Sequence, residues 1–303
     1  MDIIAQQLVN GISLGAIYGL IAIGYTMVYG IIGMINFAHG EIYMISAYLT
    51  AIFLAALGLL GISAIPLVLL LTLLATIAIT ALYGWTVERI AYRPLRNSNR
   101  LAPLISAIGM SLILQNYVRL AQGAKTQGVP SLLTGQVRIG SDSHFFQITY
   151  TQILIIVTAF VSLLLLTALI QKTALGRACR ATQQDRQMAA MLGIDTDRII
   201  SIVFMLGAAM AAVAGLLVTL NYGSFDFNVG FVTGIKAFTA AVLGGIGSLP
   251  GAMLGGLILG MAESLFSGFV NTDYKDVFAF ALLIIVLIFR PSGLLGQPQV
   301  EKV

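Results

Sequence analysis

Residues 153–170 read ILIIVTAFVSLLLLTALI, an unbroken apolar run without a charged side chain. The hydrocarbon core of a bilayer is about 30 Å thick, and about 20 apolar residues of helix cross it. Backbone N–H and C=O groups find no water inside lipid, and a helix satisfies them within one segment. The run therefore predicts a transmembrane helix and an all-α integral membrane protein.

The composition of the whole chain indicates the same environment. Of its 303 residues, 58% are hydrophobic and 9% are charged, whereas soluble domains carry about 25% charged residues. So few charges cannot cover a surface that faces water, which excludes a soluble enzyme. The basic residues form no run that indicates a nucleic-acid partner. Cys179 is the single cysteine and excludes an internal disulfide, and no basic residue precedes the first apolar run, which argues against a cleaved signal peptide.

Outward from residues 153–170, apolar and polar segments alternate. Glycine and proline mark two breaks within longer apolar stretches, at residues 58–66 and 244–251. The predicted spans are residues 8–31, two within 42–87, 101–118, 153–170, 199–222, two shorter ones within 229–269, and 276–290. We expect one transmembrane domain over residues 1–303, a bundle of about 8–10 helices.

The distribution of basic residues predicts the orientation, because cytoplasmic loops are enriched in lysine and arginine. Residues 88–100 carry Arg89, Arg93, Arg96 and Arg100, and residues 172–198 carry Lys172, Arg177, Arg180, Arg186 and Arg198. The polar loop 122–150 carries only Lys125 and Arg138. We therefore expect a cytoplasmic loop at 172–198, an external loop at 122–150 and a cytoplasmic C-terminus with Arg290 and Lys302. Three crossings before residue 88 place the N-terminus outside, unless an extra crossing or a re-entrant segment lies near Asn36.

Two pairs of short segments indicate a possible inverted repeat. Residues 27–30 (MVYG) and 36–37 (NF) resemble residues 220–223 (LNYG) and 226–227 (DF). Five predicted crossings separate the two units, so they would run antiparallel, as in many transporters. Chance similarity between apolar, glycine-rich segments is the alternative.

A polar cluster, INFAHGE at residues 35–41, separates the first two apolar runs. Asn36, His39 and Glu41 are candidates for lining a pathway, because ionisable side chains at membrane depth are costly and commonly functional. The alternative is an interfacial turn in which Asn36 caps the next helix. The other histidine, His144, lies in the predicted external loop, so we expect no metal site.

Lys236 and Glu263 each stand alone inside the apolar region 229–269. A single charge there costs a few kcal/mol. A salt bridge between the two spans would lower that cost, and either side chain could instead extend to an interface. The functional alternative is a site for the zwitterionic head of an amino acid.

Glycine is dense around the second break. Small residues allow helix backbones to approach closely, and residues 251–255 form a GxxxG pattern. We predict helix packing and a break in helical geometry for Gly244, Gly245, Gly247, Gly251 and Gly255. The segment lacks the lysine of a phosphate-binding loop, and no GxxxxGK[ST] occurs in the chain.

The predicted cytoplasmic loop contains the signature of a short helix. Thr182 is a candidate cap, Asp185 three residues later resembles a capping box, and Gly193 before an apolar residue predicts a Schellman stop. The helix between them carries Arg186, Met188, Ala189, Met191 and Leu192. Exposed methionine and leucine outside lipid predict a docking face for a partner protein, and an amphipathic connector on the membrane surface is the alternative.

Three segments resemble the permeases of binding-protein-dependent ABC importers, in the branched-chain amino acid family. They are residues 35–41 (INFAHGE), residues 176–181 (GRACRA) with 189–194 (AAMLGI), and residues 236–251 (KAFTAAVLGGIGSLPG). The chain is most similar to the shorter, LivH-type, of that system's two permease subunits. In one respect it departs from the common importer pattern: residues 187–189 (QMA) stand where Glu-Ala-Ala is expected, and no IxLP follows.

The resemblance implies a multi-pass protein of the bacterial inner membrane with four kinds of neighbour. These are a second, related permease subunit, two cytoplasmic ATPase subunits that hold ATP and Mg²⁺, a periplasmic solute-binding protein, and lipid. It also implies that residues 183–192 dock on an ATPase, and that this chain needs no cofactor of its own.

The expected function is uptake of leucine, isoleucine and valine by alternating access driven by the partner ATPases. We expect this subunit to hold a weak substrate site or none. A permease for urea, amides or other amino acids is the nearest alternative. A secondary transporter that works without ATPases is the alternative from another class, and its best support is the possible repeat with Lys236 and Glu263.

Overall fold

The computed structural model describes residues 2–96, 98–99, 101–141, 144–290 and 292–296. Arg100 and Lys302, used above for orientation, lie outside these residues. The helices are α1 (Asp2–Ile32), α2 (His39–Leu59), α3 (Ile65–Val87), α4 (Leu101–Gln122), α5 (Tyr150–Lys172), α6 (Ala174–Gln184), α7 (Arg186–Met191), α8 (Thr196–Tyr222), α9 (Val229–Gly244), α10 (Leu249–Phe269) and α11 (Lys275–Phe289). A π turn (Glu88–Tyr92) and a 3₁₀ turn (Arg93–Leu95) continue α3.

The predicted all-α membrane bundle is confirmed. Within the described residues, seven helices are long and apolar enough to cross a membrane, and α9 and α11 are shorter, with 16 and 15 residues. Both predicted breaks are present, between α2 and α3 and between α9 and α10. α5 begins at a capping box, in which Thr149 and Gln152 each bond the other's backbone N–H at 3.0–3.1 Å.

The polar loop 122–150 contains strands that the sequence did not predict. β2 (Gln136–Ser141) and β3 (His144–Thr149) form an antiparallel hairpin, and β1 (Gln127–Gly128) pairs with β4 (Ser224–Phe225). Near the start of α1, Gln6 exchanges two hydrogen bonds with the backbone of Gln147, at 3.0 and 2.9 Å. The start of α1 therefore lies at the same end of the bundle as the hairpin. We call this the hairpin end, and the opposite end, which carries α6 and α7, the α6–α7 end.

α2 begins inside the protein, beside the body of α1. The ring of His39 packs edge-on against Tyr25 of α1, with the ring centres 4.8 Å apart. α2 then runs to the hairpin end, where Tyr48 packs edge-on against Phe225 of β4 at 4.9 Å. Three crossings thus precede the turns after α3, so the N-terminus lies on the same side as the loop 122–150, as predicted.

The ends of α1 and α8 have the same geometry. Gly33 and Gly223 adopt left-handed φ angles of 69° and 64°. Their N–H groups donate to the carbonyls of Tyr29 and Thr219, at 2.7 and 3.1 Å. Residues 27–30 resemble residues 220–223 in sequence, but by geometry the counterpart of Gly223 is Gly33, three residues after Gly30.

The starts of α2 and α9 repeat the same pattern at the same offset of 190 residues. Asn36 Oδ1 accepts a hydrogen bond from the N–H of Ala38 at 3.2 Å, and Asp226 Oδ1 accepts one from the N–H of Asn228 at 2.9 Å. Ala38 and Asn228 are the N-cap residues. The predicted capping by Asn36 is therefore wrong, because its side chain forms an Asx turn before the helix begins.

The two repeat units meet where α2 and α9 start. A Cβ on Gly40 would collide with the carbonyl oxygen of Gly230, and a Cβ on Gly230 would lie 2.8 Å from the carbonyl oxygen of Gly40. α1 packs on α9 and α10, and α8 packs on the equivalent α2 and α3. α1 starts at the hairpin end and α8 finishes there, so the two units run antiparallel, in agreement with the predicted inverted repeat.

Glycines bring α1 and α10 into backbone contact. A Cβ on Gly15 would lie 2.7 Å from the carbonyl oxygen of Gly256, and one on Gly256 would lie 2.8 Å from that of Gly15. One turn further, a Cβ on Gly260 would lie 2.7 Å from the carbonyl oxygen of Gly11. This seam holds α10, and with it Glu263, against α1.

The predicted glycine cluster divides into two roles. Gly251 and Gly255 press on the end of α9, where a Cβ would lie 2.5 Å from Gly244 O and 2.6 Å from Gly244 N, respectively. Gly245 (φ 102°) breaks the helix and packs against the segment after α11. Gly247 (φ 98°) has open space around it, so its assignment to helix packing is wrong and it serves the turn.

Cysteine labelling tests the predicted orientation. The native thiol contributes little background, because Cys179 is buried and burial raises the pKa of its thiol, and the thiolate is the reactive form. Lys125→Cys in the loop before β1 should react with a membrane-impermeant maleimide added from outside. Met191→Cys on α7 should react only after the membrane is permeabilised. The reverse pattern would invert the topology.

Gly256→Val tests the α1–α10 seam. The side chain would collide with the backbone of α1, and overpacking of this kind destabilises by about 1–3 kcal/mol or more. We expect a lower unfolding temperature of the protein purified in detergent. Gly109→Val on α4 is the matched control, because open space surrounds Gly109. Equal losses for both variants would remove the special role of the seam.

Candidate functional site

Lys236 of α9 and Glu263 of α10 form an ion pair inside the bundle. Lys236 Nζ lies 2.7 Å from Glu263 Oε1 and 2.5 Å from Asp276 Oδ1, in the first turn of α11. The hydroxyl of Tyr18 donates to Glu263 Oε2 at 3.0 Å. Lys236 and Glu263 are 4% and 2% exposed, so neither extends to an interface. The predicted salt bridge is present, and Asp276 joins it.

The ion pair lines a cavity of about 520 Å³ that extends toward the hairpin end, where Thr126 and Ser224 border it. The remaining wall is mixed. Its apolar part comes from α1, α8, β4 and α9: Leu14, Ile17, Val218, Phe225, Val229 and Val232. Its polar part includes Asp226, Asn228, Thr233, Lys275 and Asp276. Tyr43 of α2 also lines the cavity. Its hydroxyl is buried, and its polar neighbour is Thr233, which lines the same cavity. A cavity of this volume lies within the size range of small-molecule sites.

A second cavity of about 350 Å³ adjoins the first. Tyr222, Glu263 and Lys275 line both cavities. The rest of its wall is mainly polar and includes Gln7, Asn10, Ser13, Gln152 and Asn221. The ion pair therefore stands between a cavity with a mixed apolar and polar wall and a mainly polar cavity, both on the hairpin side of the bundle.

Asn36, His39 and Glu41 lie apart from these cavities and line neither of them. All three are at most 2% exposed. Asn36 Oδ1 accepts a hydrogen bond from the hydroxyl of Tyr92 at 3.0 Å, and Glu41 Oε1 accepts one from Ser111 at 3.2 Å. The turn is thus packed between helices rather than placed at an interface, and the structure does not bring it together with Lys236.

The segment predicted as one helix ending at Gly193 consists of two, α6 and α7. Thr173 caps α6, because its Oγ1 accepts a hydrogen bond from the N–H of Gly176 at 3.2 Å. Thr182 therefore lies inside that helix, where its hydroxyl donates to the carbonyl of Ala178 at 2.8 Å. Asp185 caps α7, with its Oδ1 accepting from the N–H of Met188 at 2.9 Å. The predicted cap at Thr182 is therefore wrong, and Asp185 takes that role.

The predicted stop of α7 is confirmed. Gly193 has a φ of 84°, and its N–H donates to the carbonyl of Ala190 at 3.0 Å. The N–H of Ile194 donates to the carbonyl of Ala189 at 3.1 Å. These are the two hydrogen bonds of a Schellman motif.

α7 presents an apolar face that the other described residues leave uncovered. Met188, Met191 and Leu192 are 54%, 81% and 74% exposed, whereas Ala189 is buried. The helix lies outside the seven spans. Its position is fixed from the other side by Arg186, whose Nη2 lies 3.0 Å from Asp197 Oδ1.

Comparison with known proteins identifies the family to which the chain belongs. The family described as "Branched-chain amino acid transport system / permease component" matches residues 7–287. The chain belongs to this permease family. The match runs from the first turns of α1 into α11, so it includes both repeat units and both cavities. With its seven long apolar helices, the permease is a multi-pass protein of the inner membrane.

Individual relatives are similar over nearly the whole permease. The high-affinity branched-chain amino acid transport system permease protein LivH of Salmonella typhimurium is 56% identical over 299 residues, which cover 98% of this chain and 97% of LivH. Its counterpart BraD of Pseudomonas aeruginosa is 55% identical over 299 residues, with the same coverage. LivM of Salmonella typhimurium is 27% identical over 308 residues, which cover 94% of this chain and 69% of LivM. No solved structure matches the chain.

A network of charged side chains at the α6–α7 end of the permease was not predicted from the sequence. Glu88 is fully buried and pairs with Arg96. Arg96 Nη1 lies 2.5 Å from Asp197 Oδ1, which also pairs with Arg186, and Ser201 donates to Glu88 Oε2 at 2.6 Å. Burial lowers the pKa of the Arg96 guanidinium, and the neighbouring carboxylates oppose that shift.

This network joins the end of α3 to α7 and α8. Arg93 and Arg96 indicated only the orientation of the chain, because positive charge in loops is a local signal. The acidic partners lie far apart in the sequence, and no periodicity reveals that Glu88 faces the interior. The π turn after α3 is what places Arg96 beside both carboxylates.

Arg96→Met and Arg93→Met form a matched pair of tests for this network. Removing Arg96 leaves Glu88 without its cation in a buried position, and breaking a buried pair costs about 3–5 kcal/mol. Arg93 pairs with Asp197 at 3.2 Å with both side chains about 40% exposed, and exposed pairs contribute about 0–1 kcal/mol. We expect a large fall in unfolding temperature for Arg96→Met and a small one for Arg93→Met. Similar values would show that Glu88 does not depend on Arg96.

Proposed function

We propose that this permease is the membrane subunit of an ATP-driven importer that carries leucine, isoleucine and valine from the periplasm to the cytoplasm. The relatives LivH and BraD are named as permeases of branched-chain amino acid transport systems, and they match the chain over nearly its whole length. The observation that carries the mechanism is α7, a capped helix outside the bundle with an uncovered apolar face.

The uncovered face fits a protein partner better than it fits lipid. Burying a methionine or leucine side chain contributes about 1.5–3 kcal/mol, and three such residues share the face. The binding of an interfacial helix to a membrane scales with the apolar area that it buries, and α7 has only six residues to supply that area. Methionine adapts its shape to a partner surface. We therefore assign α7 as the helix that docks on an ATPase subunit.

The sequence and one relative support the other components of the proposed importer. The sequence contains no GxxxxGK[ST], so ATP and Mg²⁺ are assigned to two partner ATPases. LivM, itself named as a permease of the same kind of system, is similar to this chain, which supports a second, related permease as the other half of the membrane assembly. A solute-binding protein would deliver the amino acid at the hairpin end, where the cavities lie.

The charged network supplies a route from α7 to the transmembrane helices. Arg186 of α7 pairs with Asp197 of α8, and Arg96 joins Asp197 to Glu88 at the end of α3. Movement of α7 by an ATPase would therefore act on α3 and α8, which pack on each other. Those helices belong to opposite repeat units, so their relative movement can exchange outward-open and inward-open states. Substrate shifts that exchange only by binding one state more tightly.

The double substitution Met191→Asp with Leu192→Asp tests the docking assignment. Both side chains are exposed, so the fold should persist, while two desolvated charges would oppose docking. We expect the ATPase subunits to be lost when the tagged permease is purified. Uptake of labelled leucine by the complete system should fall about tenfold or more.

Leu59→Asp with Leu60→Asp is the matched control, because these leucines, at the last residue of α2 and the residue after it, are 90% and 74% exposed. This variant should keep both its ATPases and its uptake. Unchanged purification and uptake for the α7 variant would overturn the docking assignment. Leucine uptake by the permease alone, in liposomes with an ion gradient, would instead identify a secondary transporter.

A further inference from the structure

The cavity beside Lys236 ends inside the bundle. The residues that line it reach as far as Tyr18 along α1 and Lys236 along α9. The turn after α9 shares a small cavity with α6, where Gly247 and Gln183 both line the wall. α9 therefore runs toward the α6–α7 end, as α1 does. To reach that end from the cavity, an amino acid would have to pass between the next turns of these two helices.

A much smaller cavity lies further along both helices. Its volume is about 10 Å³, whereas a single buried water molecule needs roughly 10–15 Å³. Its wall comes from α1, α9 and the turns beside them: Tyr25, Tyr29, Ile35, Phe238, Ala241 and Ile246. In this structure the route between α1 and α9 is therefore closed to an amino acid at this level.

Four aromatic rings meet at the closure. Tyr25 of α1 and Phe238 of α9 follow the residues that line the large cavity, and both line the small one. Their ring centres are 6.2 Å apart, in an edge-to-face arrangement. The ring of Phe37 lies 6.3 Å from that of Phe238, and His39 packs edge-on against Tyr25. The polar turn at residues 35–41 thus contributes two of the four rings.

The rings come from both repeat units, at the point where the units touch. Tyr25, Phe37 and His39 belong to the first unit, and Phe238 belongs to the second. A Cβ on Gly234, one turn before Phe238, would lie 2.9 Å from the Cα of Gly40 and 3.2 Å from the hydroxyl of Tyr25. A movement of one unit against the other at this glycine contact therefore changes the distance between Phe238 and the other three rings.

The four rings differ in their freedom to move. Tyr25 and His39 are 5% and 1% exposed, so the packed interior holds them in place. Phe37 and Phe238 are only partly buried. Phe238 is therefore the ring of the second unit that can leave the cluster without opening the core of the bundle.

We infer that Phe238, packed against Tyr25 and Phe37, is the inner gate of the permease pathway. The gate is closed in this structure, in which the large cavity extends toward the hairpin end. In the inward-open state Phe238 separates from Tyr25 and Phe37, and the route to the α6–α7 end opens. This inference rests on the proposed function, because a gate presupposes a transport pathway. It deepens that function by naming the residues that the ATPase-driven movement of the two units separates.

Aromatic rings suit a gate that opens in every transport cycle. An apolar constriction excludes water by dewetting, and the charged head of an amino acid does not pass through it, because burying an unpaired charge is costly. Each edge-to-face ring contact contributes only modestly to stability. The closed gate is therefore a strong barrier to a zwitterion, although the contacts that close it are individually easy to break.

A cysteine beyond the gate tests this inference. Ala241 is 1% exposed and lines the small cavity on the far side of Phe238. In the assembled transporter without ATP, and with Cys179→Ala to remove the native thiol, Ala241→Cys should resist a charged, membrane-impermeant thiol reagent added at the hairpin end. Adding Phe238→Ala should raise the modification rate about tenfold, because Phe238 loses both of its ring contacts.

Phe266→Ala is the matched control. Phe266 of α10 stacks on Phe278 of α11 with the ring centres 4.4 Å apart, and it lines neither the large cavity nor the small one. It removes an aromatic contact of the same kind, and Ala241→Cys should stay protected. Equal increases with Phe238→Ala and Phe266→Ala would indicate a general loosening of the bundle and would overturn the gate.

Efflux of labelled leucine gives a second measurement. Proteoliposomes that hold the assembled transporter are loaded with leucine, and efflux is followed without ATP. Phe37→Ala and Phe238→Ala should each increase efflux above the wild type, and Phe37→Ala decides the outcome if Phe238→Ala does not fold. Wild-type efflux in the folded variants, or an Ala241→Cys that stays protected in them, would refute the gate. ATP-driven leucine uptake by the wild-type system would then leave the proposed function standing. Absence of that uptake, with Ala241→Cys exposed by Phe238→Ala, would refute the function and keep the gate.

Discussion

The contact between Gly40 and Gly230 is the constraint on which the arrangement of the bundle depends. Each glycine stands one residue after the first residue of its helix, and each would strike the other's carbonyl oxygen if it carried a Cβ. Two helices can begin side by side inside a membrane protein only if their free N–H groups find partners. The Asx turns of Asn36 and Asp226 supply part of that satisfaction, and the bare backbone at the glycines allows the approach.

The contact between the starts of α2 and α9 determines where the cavity lies. Because α9 starts within the protein, Lys236 lies two turns further along, facing α10 and α11 rather than a loop. The glycine seam between α1 and α10 then brings Glu263 beside it and Tyr18 above it. The three charges at this position are tolerable because Glu263 and Asp276 both lie within ion-pair distance of Lys236. The inverted repeat thus supplies the frame, and close backbone packing supplies the position of each charged group.

The sequence predicted the fold well because its signals were local. Apolar runs gave the spans, glycine and proline gave the breaks at 58–66 and 244–251, and Gly193 gave the stop of α7. The sequence-based prediction failed for features that depend on residues far apart in the chain. Asp276 lies in the last predicted span and joins the Lys236 pair only through tertiary packing, and the interior position of Glu88 depends on a π turn. Thr182 was misread as a cap because Thr173 starts the helix earlier.

The two repeat units share a backbone arrangement but carry different polar and charged side chains. As a result, the two ends of the permease have different sets of charged groups. At the constant offset of 190 residues, the counterpart of Lys236 is Ser46, which donates to the carbonyls of Tyr43 and Ala211 at 2.6 and 3.0 Å. The second unit therefore carries Lys236 and its ion-pair partners near the hairpin end, while the turns after α3 in the first unit carry Glu88 and its network near α7. One backbone frame thus joins a ligand-sized cavity at one end to a charged linkage at the other, and a relative movement of the two units would change both together.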